Sequence, residues 1–516
     1  MTLDTCRSVR LAALASAVAL IFAAPAPGIA QTAPAATRSP QSVVPPPAAL
    51  KPAAKTAVRR SAARDEALPK PQGARKPAAP VTPSNPTKRA KISHAAVEPE
   101  HAFGDWDGFR TRLAKYGVNY SLNYTTESVA NVSGGVKAGA AYAHQIALAV
   151  DVNWQTLAGL DGFSTHTIFI NRAGNNASAR FIGDNVLQAQ EIYGAGFGQI
   201  VKLVWFYGEQ KLADDKIDIA FGRLAPGSDF GASPLNCNFM TLTICGHNRA
   251  LTSLQGFEDW PTSVWGARIK GQTTDTTYIM TGLFQSQPFP VPGESYTQGG
   301  YSGFDWTLKG TTGVSIPLEL GFEPRLGPDE MPGHYKLGFN YDTSDYPDTF
   351  FDRQNLPLAL TGLTGRPHHG RAQFWVEGDQ MIARNGPNDN DGLILLASYA
   401  HDDSNTSLIR NFLWAGVLDR GFWDARPQDQ IGFAATYYDV SNKITRTEQL
   451  EQSLDLPLYG NARGVQRNGA VFEANYGIHV APGVLIQPEL EYFLKPGATA
   501  AVSNSFLIGA KTNIDF

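Results

Sequence analysis

Residues 484–494 read Val-Leu-Ile-Gln-Pro-Glu-Leu-Glu-Tyr-Phe-Leu. In an extended chain successive side chains point to opposite faces. Val484, Ile486, Leu490, Tyr492 and Leu494 therefore share one face, and Gln487, Glu489 and Glu491 the other. Period two returns in Val118/Tyr120/Leu122/Tyr124, Ile146/Leu148/Val150/Val152/Trp154, Tyr335/Leu337/Phe339/Tyr341, Ile431/Phe433/Ala435/Tyr437 and Ala470/Phe472/Ala474/Tyr476/Ile478. Clusters of Gly, Asn, Asp and Pro separate these stretches, as strand connections require. One helical pattern precedes them. Trp106, Phe109, Leu113 and Tyr116 recur at three-to-four spacing up to Gly117, which predicts an amphipathic helix of about three turns.

A soluble sandwich alternates too, so three further features carry the choice of a transmembrane barrel. The segments run to about ten residues, the length of a tilted strand crossing a bilayer. Aromatics gather near segment ends, where interfacial girdles need them. The final residues place Phe506, Ile508, Ala510, Thr512, Ile514 and Phe516 on one face up to the last position, so the last strand can close a sheet against the first. Closure satisfies every backbone group without helices. About 16 candidate strands fit into residues 101–516, a porin-sized lumen. The expected fold is all-β, an antiparallel transmembrane barrel with a short N-terminal periplasmic helix.

Composition agrees and excludes the alternatives. Of 516 residues, 43% are hydrophobic and 17% charged, with 27 Phe, 18 Tyr and 9 Trp. Beyond the N-terminus no run approaches the roughly 18 apolar residues of a spanning helix, so a polytopic helical protein is excluded. The aromatic and β-branched content excludes collagen-like and wholly disordered chains. A net charge of −4 excludes nucleic-acid binding driven by overall basicity. The mean hydropathy of −0.21 is what alternation produces, because lipid-facing and lumen-facing positions cancel.

Arg7 and Arg10 precede the apolar residues 11–24, and Gly28-Ile29-Ala30 follows. This predicts a signal peptide over residues 1–30, cleaved near Ala30 and carrying Cys6 away. Residues 31–100 contain 13 Pro and 17 Ala and a charge of +8, the composition of an extended linker. With +1 on the signal, residues 101–516 carry −13; the body is acidic. Cys237 and Cys245 remain, bounding a nine-residue segment. In an exported chain that pattern suggests a disulfide; metal ligation with His247 is the alternative. No cofactor and no catalytic group is expected. His368-His369 reads as part of a Pro/Gly-rich connection, not a catalytic or metal pair.

Residues 101–516 resemble the carbohydrate-selective porins, the OprB-type family of Gram-negative outer membranes. The resemblance rests on Gly104-Asp105-Trp106-Asp107-Gly108-Phe109-Arg110 and on a block following in family order. That block comprises residues 160–162, Arg172-Ala-Gly-Asn-Asn, Glu191-Ile-Tyr-Gly, residues 204–210, Gly222-Arg223, Asp229-Phe230, the Cys237 to Cys245 loop, Glu258-Asp259-Trp260-Pro261 and Trp265-Gly-Ala-Arg268. It implies a 16-stranded barrel and passive diffusion of small sugars such as glucose. Arg172 takes the place of a constriction arginine, Glu191 of a constriction glutamate and Trp260 of a stacking tryptophan. Arg and Glu are expected on opposing walls, and Glu209, Arg223 and Arg268 as further lumen residues. Hydroxyls can bond to guanidinium and carboxylate while a sugar's C–H face packs on indole. The implied partners are monosaccharides or small polyols and outer-membrane lipid, and a homotrimer is the expected assembly. Residues 31–100, basic and outside the resemblance, read either as a spacer without a partner or as a periplasmic or cell-wall contact. The chain departs from the family in a short stretch between Arg172 and Glu191 and in its basic Pro/Ala segment. A general diffusion porin and an export channel for a secreted polysaccharide are the alternatives.

Overall fold

A computed structural model describes residues 101–516 apart from 193–199, 246–247, 253–256, 289–303 and 305–307. The expected signal peptide and linker, and His247, lie outside the described residues. Sixteen long strands follow one another in antiparallel hairpins: β1 (Val118–Gly135), β2 (Gly139–Asn153), β3 (Phe163–Gly174), β4 (Lys202–Leu212), β5 (Ile217–Leu224), β6 (Val264–Thr274), β7 (Thr277–Ser286) and β8 (Gly313–Phe322) make the first half. The second half is β9 (Met331–Asp352), β10 (Gly365–Arg384), β11 (Gly392–Asp402), β12 (Ile409–Arg420), β13 (Gln430–Val440), β14 (Asn468–Ala481), β15 (Val484–Leu494) and β16 (Ser503–Asp515). A two-residue strand, Arg325–Leu326, adds to the start of β9. β1 pairs with both β2 and β16, the latter from Asn123↔Asp515 to Gly135↔Ser503, so the sheet closes on itself.

The faces are inverted relative to a soluble protein. On β8, Leu318, Leu320 and Phe322 are 41%, 48% and 46% exposed, while Glu319 between them is 0% exposed. On β15, Ile486, Leu490 and Tyr492 face outward and Gln487, Glu489 and Glu491 inward. Water inside and hydrocarbon outside is the arrangement that gives this polarity. Phe163, Phe221, Phe322 and Tyr335 ring one end of the outer surface, in stacked pairs Phe163–Phe221 and Phe322–Tyr335. Phe374, Tyr399 and Tyr437 mark the other end. The acidic charge of the body lines the lumen through Glu127, Glu319, Glu377, Glu473, Glu489 and Glu491.

Connections at one end are short, such as 213–216, 275–276 and 482–483; those at the other are long, such as 175–201, 225–263 and 441–467. Short turns belong to the periplasmic side and long loops to the exterior. β9 and β10, at 22 and 20 residues, exceed the ten-residue expectation and continue past the bilayer as an extracellular ribbon. His368 and His369 lie on that ribbon, within β10 and not in a connection, bonded to Asp348 and Asp345 of β9. Cross-strand partners on β9 keep this Pro- and Gly-containing segment extended. The helix α2 (Asn442–Ser453) packs beside the ribbon, where Lys443 Nζ donates to Asp348 Oδ2 at 2.7 Å.

The N-terminal helix, α1 (Phe109–Lys115), is seven residues, shorter than the apolar spacing suggested. Trp106, Asp107 and Gly108 have φ of 48°, 53° and 76°, a left-handed turn that bars helix at Trp106. The turn has a use. It brings the Arg110 guanidinium 5.4 Å from the Trp106 ring and 4.5 Å from that of Tyr120, and Arg110 donates to the carbonyls of Tyr120 and Phe516. Ala102 N donates to Asp515 O at 2.7 Å, and the Phe103 and Phe516 rings stack at 5.6 Å. The segment thus clamps the periplasmic end of the β1–β16 seam.

Candidate functional site: a loop-lined constriction

Most buried apolar residues lie inside the barrel, where the 225–263 connection folds inward. Phe230, Phe239, Met240 and Ile244 pack with the lumenal Phe284, Trp375, Phe412 and Trp414. Trp375 lies across Gly338, where an added Cβ would sit 1.9 Å from Cε2, so that position must be glycine. The wall fixes the loop by polar bonds. Gly231 N donates to Glu319 Oε2 at 2.6 Å, and Asn236 Nδ2 to Glu377 Oε1 at 3.1 Å. Across the lumen from β5 and β6, Glu473 of β14 accepts from Met240 N at 2.7 Å and Thr241 N at 3.0 Å. Lys511 Nζ donates to the carbonyls of Cys237 and Phe239. Asn475 and Gln487 both donate to Asn238 O at 3.0 Å. The sulfurs of Cys237 and Cys245 are joined, tying the ends of the segment that touches β14 and β16. The 175–201 connection joins this loop, with Glu191 N donating to Met240 O and Leu242 N to Gln188 O. Its Asp184 accepts from Val186 N and Leu187 N, and burial pushes that carboxyl up to about 6.

Arg172, Glu191 and Trp260 meet where the two loops approach β2 and β3. Gln145 of β2 stands opposite Arg172 of β3 in register. Its Oε1 accepts from Arg172 Nε at 2.6 Å and from the Trp260 indole N–H at 3.0 Å. Arg172 Nη2 reaches Glu191 Oε1 at 2.5 Å. The Trp205 ring of β4 meets Trp260 edge-on at 5.4 Å. Arginine and glutamate therefore do not face each other across the pore as expected from the sequence. They are a contact pair on one side, because the 175–201 loop folds back onto β3. The Arg172 side chain is 1% exposed and that of Glu191 12%. Such an enclosed guanidinium orients its partners more than it meets solutes.

Arg223 lies beside this cluster and donates to Ser263 O at 2.5 Å. Glu209 and Arg268 do not join it. Both sit nearer the periplasmic end, Glu209 with His166 and Lys211, and Arg268 with Asp218 and Asp229. Sequence reasoning missed Gln145, Trp205 and Glu473. The alternation already put Gln145 and Glu473 on the polar faces of their strands; which lumenal residue meets which loop was invisible. Glu127 was missed too. Its Oε2 accepts from Ile192 N at 2.8 Å and holds the segment carrying Glu191.

A closed barrel with short turns at one end, narrowed by inward-folded loops braced by lumenal carboxylates, is a porin's construction. Residues 137–516 match the family described as carbohydrate-selective porin, OprB family. The chain belongs to that family. Porin B of Pseudomonas aeruginosa is 30% identical over 426 residues, covering 80% of this chain and 90% of that protein. The putative porin QuiX of Acinetobacter baylyi is 25% identical over 80% of this chain and 92% of its own length. The high-pH structure of Pseudomonas putida OprB superimposes with a TM-score of 0.74 at 29% identity, covering 82% of this chain and all of that one. This OprB-family porin is a Gram-negative outer-membrane channel for carbohydrate-selective diffusion of small sugars.

Proposed function

We propose that the Gln145–Arg172–Glu191–Trp260 cluster is where this porin selects monosaccharides of glucose size. The observation carrying this reading is the double acceptor role of Gln145, which locks the arginine and the indole together. Arg172 holds Glu191 and Gln145; Glu191 takes sugar hydroxyls, and Trp260 takes the apolar C–H face. Because arginine and glutamate neutralise each other, an ion gains little there, while a neutral polyol can exchange hydrogen bonds with water on both sides. Binding stays weak enough for release, which a diffusion pore requires. Passage is passive, with no enzymatic step.

Liposomes carrying the protein are expected to swell faster in glucose than in a disaccharide. Trp260→Ala and Gln145→Ala should flatten that preference. Equal rates for every small solute, unchanged in the variants, would reduce the protein to a general diffusion porin. We further read residues 1–30 as a cleaved signal and 31–100 as a basic spacer able to touch an anionic envelope polymer. A homotrimer is the assembly we expect. The mass of the mature chain and its sedimentation in detergent test these readings.

A further inference from the structure

Below the constriction, aromatic rings continue along the lumenal wall of β3 and β4. Phe206 of β4 is exposed to lipid, so Trp205 and Tyr207 on either side of it face inward. Trp205 meets Trp260 at 5.4 Å on one side and Tyr207 at 6.1 Å on the other, both edge to face. Tyr207 in turn stacks on His166 of β3 at 4.8 Å, opposite it in register. β4 runs from the long-loop end to a short turn, so Trp260, Trp205 and then the Tyr207–His166 pair descend toward the periplasm. Trp205 and Tyr207, two apart on one strand, are separated by roughly 6.6 Å along it, about one pyranose ring.

The polar groups beside this track are already paired. His166 bonds through Nδ1 to Asp151 at 2.6 Å and approaches Glu209 at 3.3 Å through Nε2. Arg268 holds Asp218 and Asp229, and Asp229, Glu209, Arg268 and Asp151 all surround Tyr207. Four carboxylates, Asp151, Glu209, Asp218 and Asp229, stand against His166, Lys211 and Arg268, so acceptors are abundant for hydroxyl donors and anions are disfavoured. The indole N–H of Trp205 is buried and meets no acceptor among the described residues, a donor that a hydroxyl oxygen can satisfy.

We propose that Trp205, Tyr207 and His166 form a second monosaccharide-binding station on the periplasmic side of the constriction, receiving the ring as it leaves Trp260. The station deepens the selection reading given above and rests on it. A sugar moving from one aromatic edge to the next keeps part of its contact throughout, so no step loses all binding at once. His166, set between two carboxylates, acts as a positioning residue that fixes the Tyr207 ring.

The test is current block by glucose in single channels of the full-length protein, with sugar added to each side in turn. Tyr207→Ala and Trp205→Ala should each weaken block by about two- to tenfold, the range of one aromatic contact, with the larger loss for sugar entering from the periplasmic side. Tyr207→Phe keeps the ring and should stay within twofold of the wild type. It also guards against a folding defect, as do unchanged conductance and heat-modifiable mobility. If the wild type is blocked and the alanine variants are blocked identically from both sides, the second station is overturned and the constriction reading stands. If no sugar blocks the wild type, both are overturned.

Discussion

Replacing Glu473 by alanine should loosen the constriction without touching any residue that meets sugar. Glu473 is 1% exposed, and its two oxygens receive Met240 N and Thr241 N, the contact that pins the inward loop to the far wall. Leaving a buried donor unsatisfied costs about 1–3 kcal/mol, so two orphaned amides weaken the docked loop by about 2–6 kcal/mol. At about 1.4 kcal/mol per tenfold, even the lower figure raises the undocked population by roughly 30-fold. Lys511, Asn475 and Gln487 still hold Cys237, Asn238 and Phe239, so the loop should fluctuate instead of leaving. Planar-bilayer recording should then show frequent excursions to a higher conductance and weaker sugar discrimination. Glu473→Gln, with one good acceptor, should fall between. Heat-modifiable mobility and β-sheet circular dichroism establish that the variants fold. Steady current, unchanged conductance and unchanged sugar block in both variants would refute the idea that this contact sets the pore.

Reducing the Cys237–Cys245 bond should produce a milder form of the same noise, because a nine-residue closure contributes about 2–3 kcal/mol in the chain-entropy account; a silent channel under reductant would refute it. Arg110→Ala removes two bonds to carbonyls and two ring contacts at the seam and should lower stability by about 2–4 kcal/mol, read from urea unfolding in detergent. Single-channel conductance should not change, since the clamp lies outside the lumen. The extracellular cap should be firmer in acid. Burial pushes Glu448 on α2 up to about 7 and Asp184 up to about 6, so both carboxyls bind protons more tightly folded than unfolded. Their stabilisation is complete below the ordinary carboxylate range and fades as pH rises through about 6 to 7. Limited proteolysis of the 441–467 connection should therefore be slower at pH 5 than at pH 8 for a pH-insensitive protease; the opposite order would refute the sign.

Strand faces, membrane spanning and closure were legible in the sequence alone, because period two is a local property of an extended chain and lipid on one side selects it residue by residue. The alternation in residues 484–494 and 506–516 needed no partner to be read. Length and composition then allowed one large barrel, and ordered motifs supplied the family. What the sequence could not reveal was the interior. Whether Arg172 faces Glu191 across the pore or touches it depends on how the 175–201 loop folds. That is settled by Glu127, 63 and 65 residues from its partners Gln190 and Ile192, and by Met240 on the other inward loop. Gln145 gains its role because register places it opposite Arg172 and a second loop delivers Trp260 to the same oxygen. The short α1 shows the converse: apolar spacing promised helix at Trp106, but the geometry of the seam clamp bends the chain left-handed there. Local periodicity determined the wall; long-range contacts between loops and lumenal polar groups decided the pore.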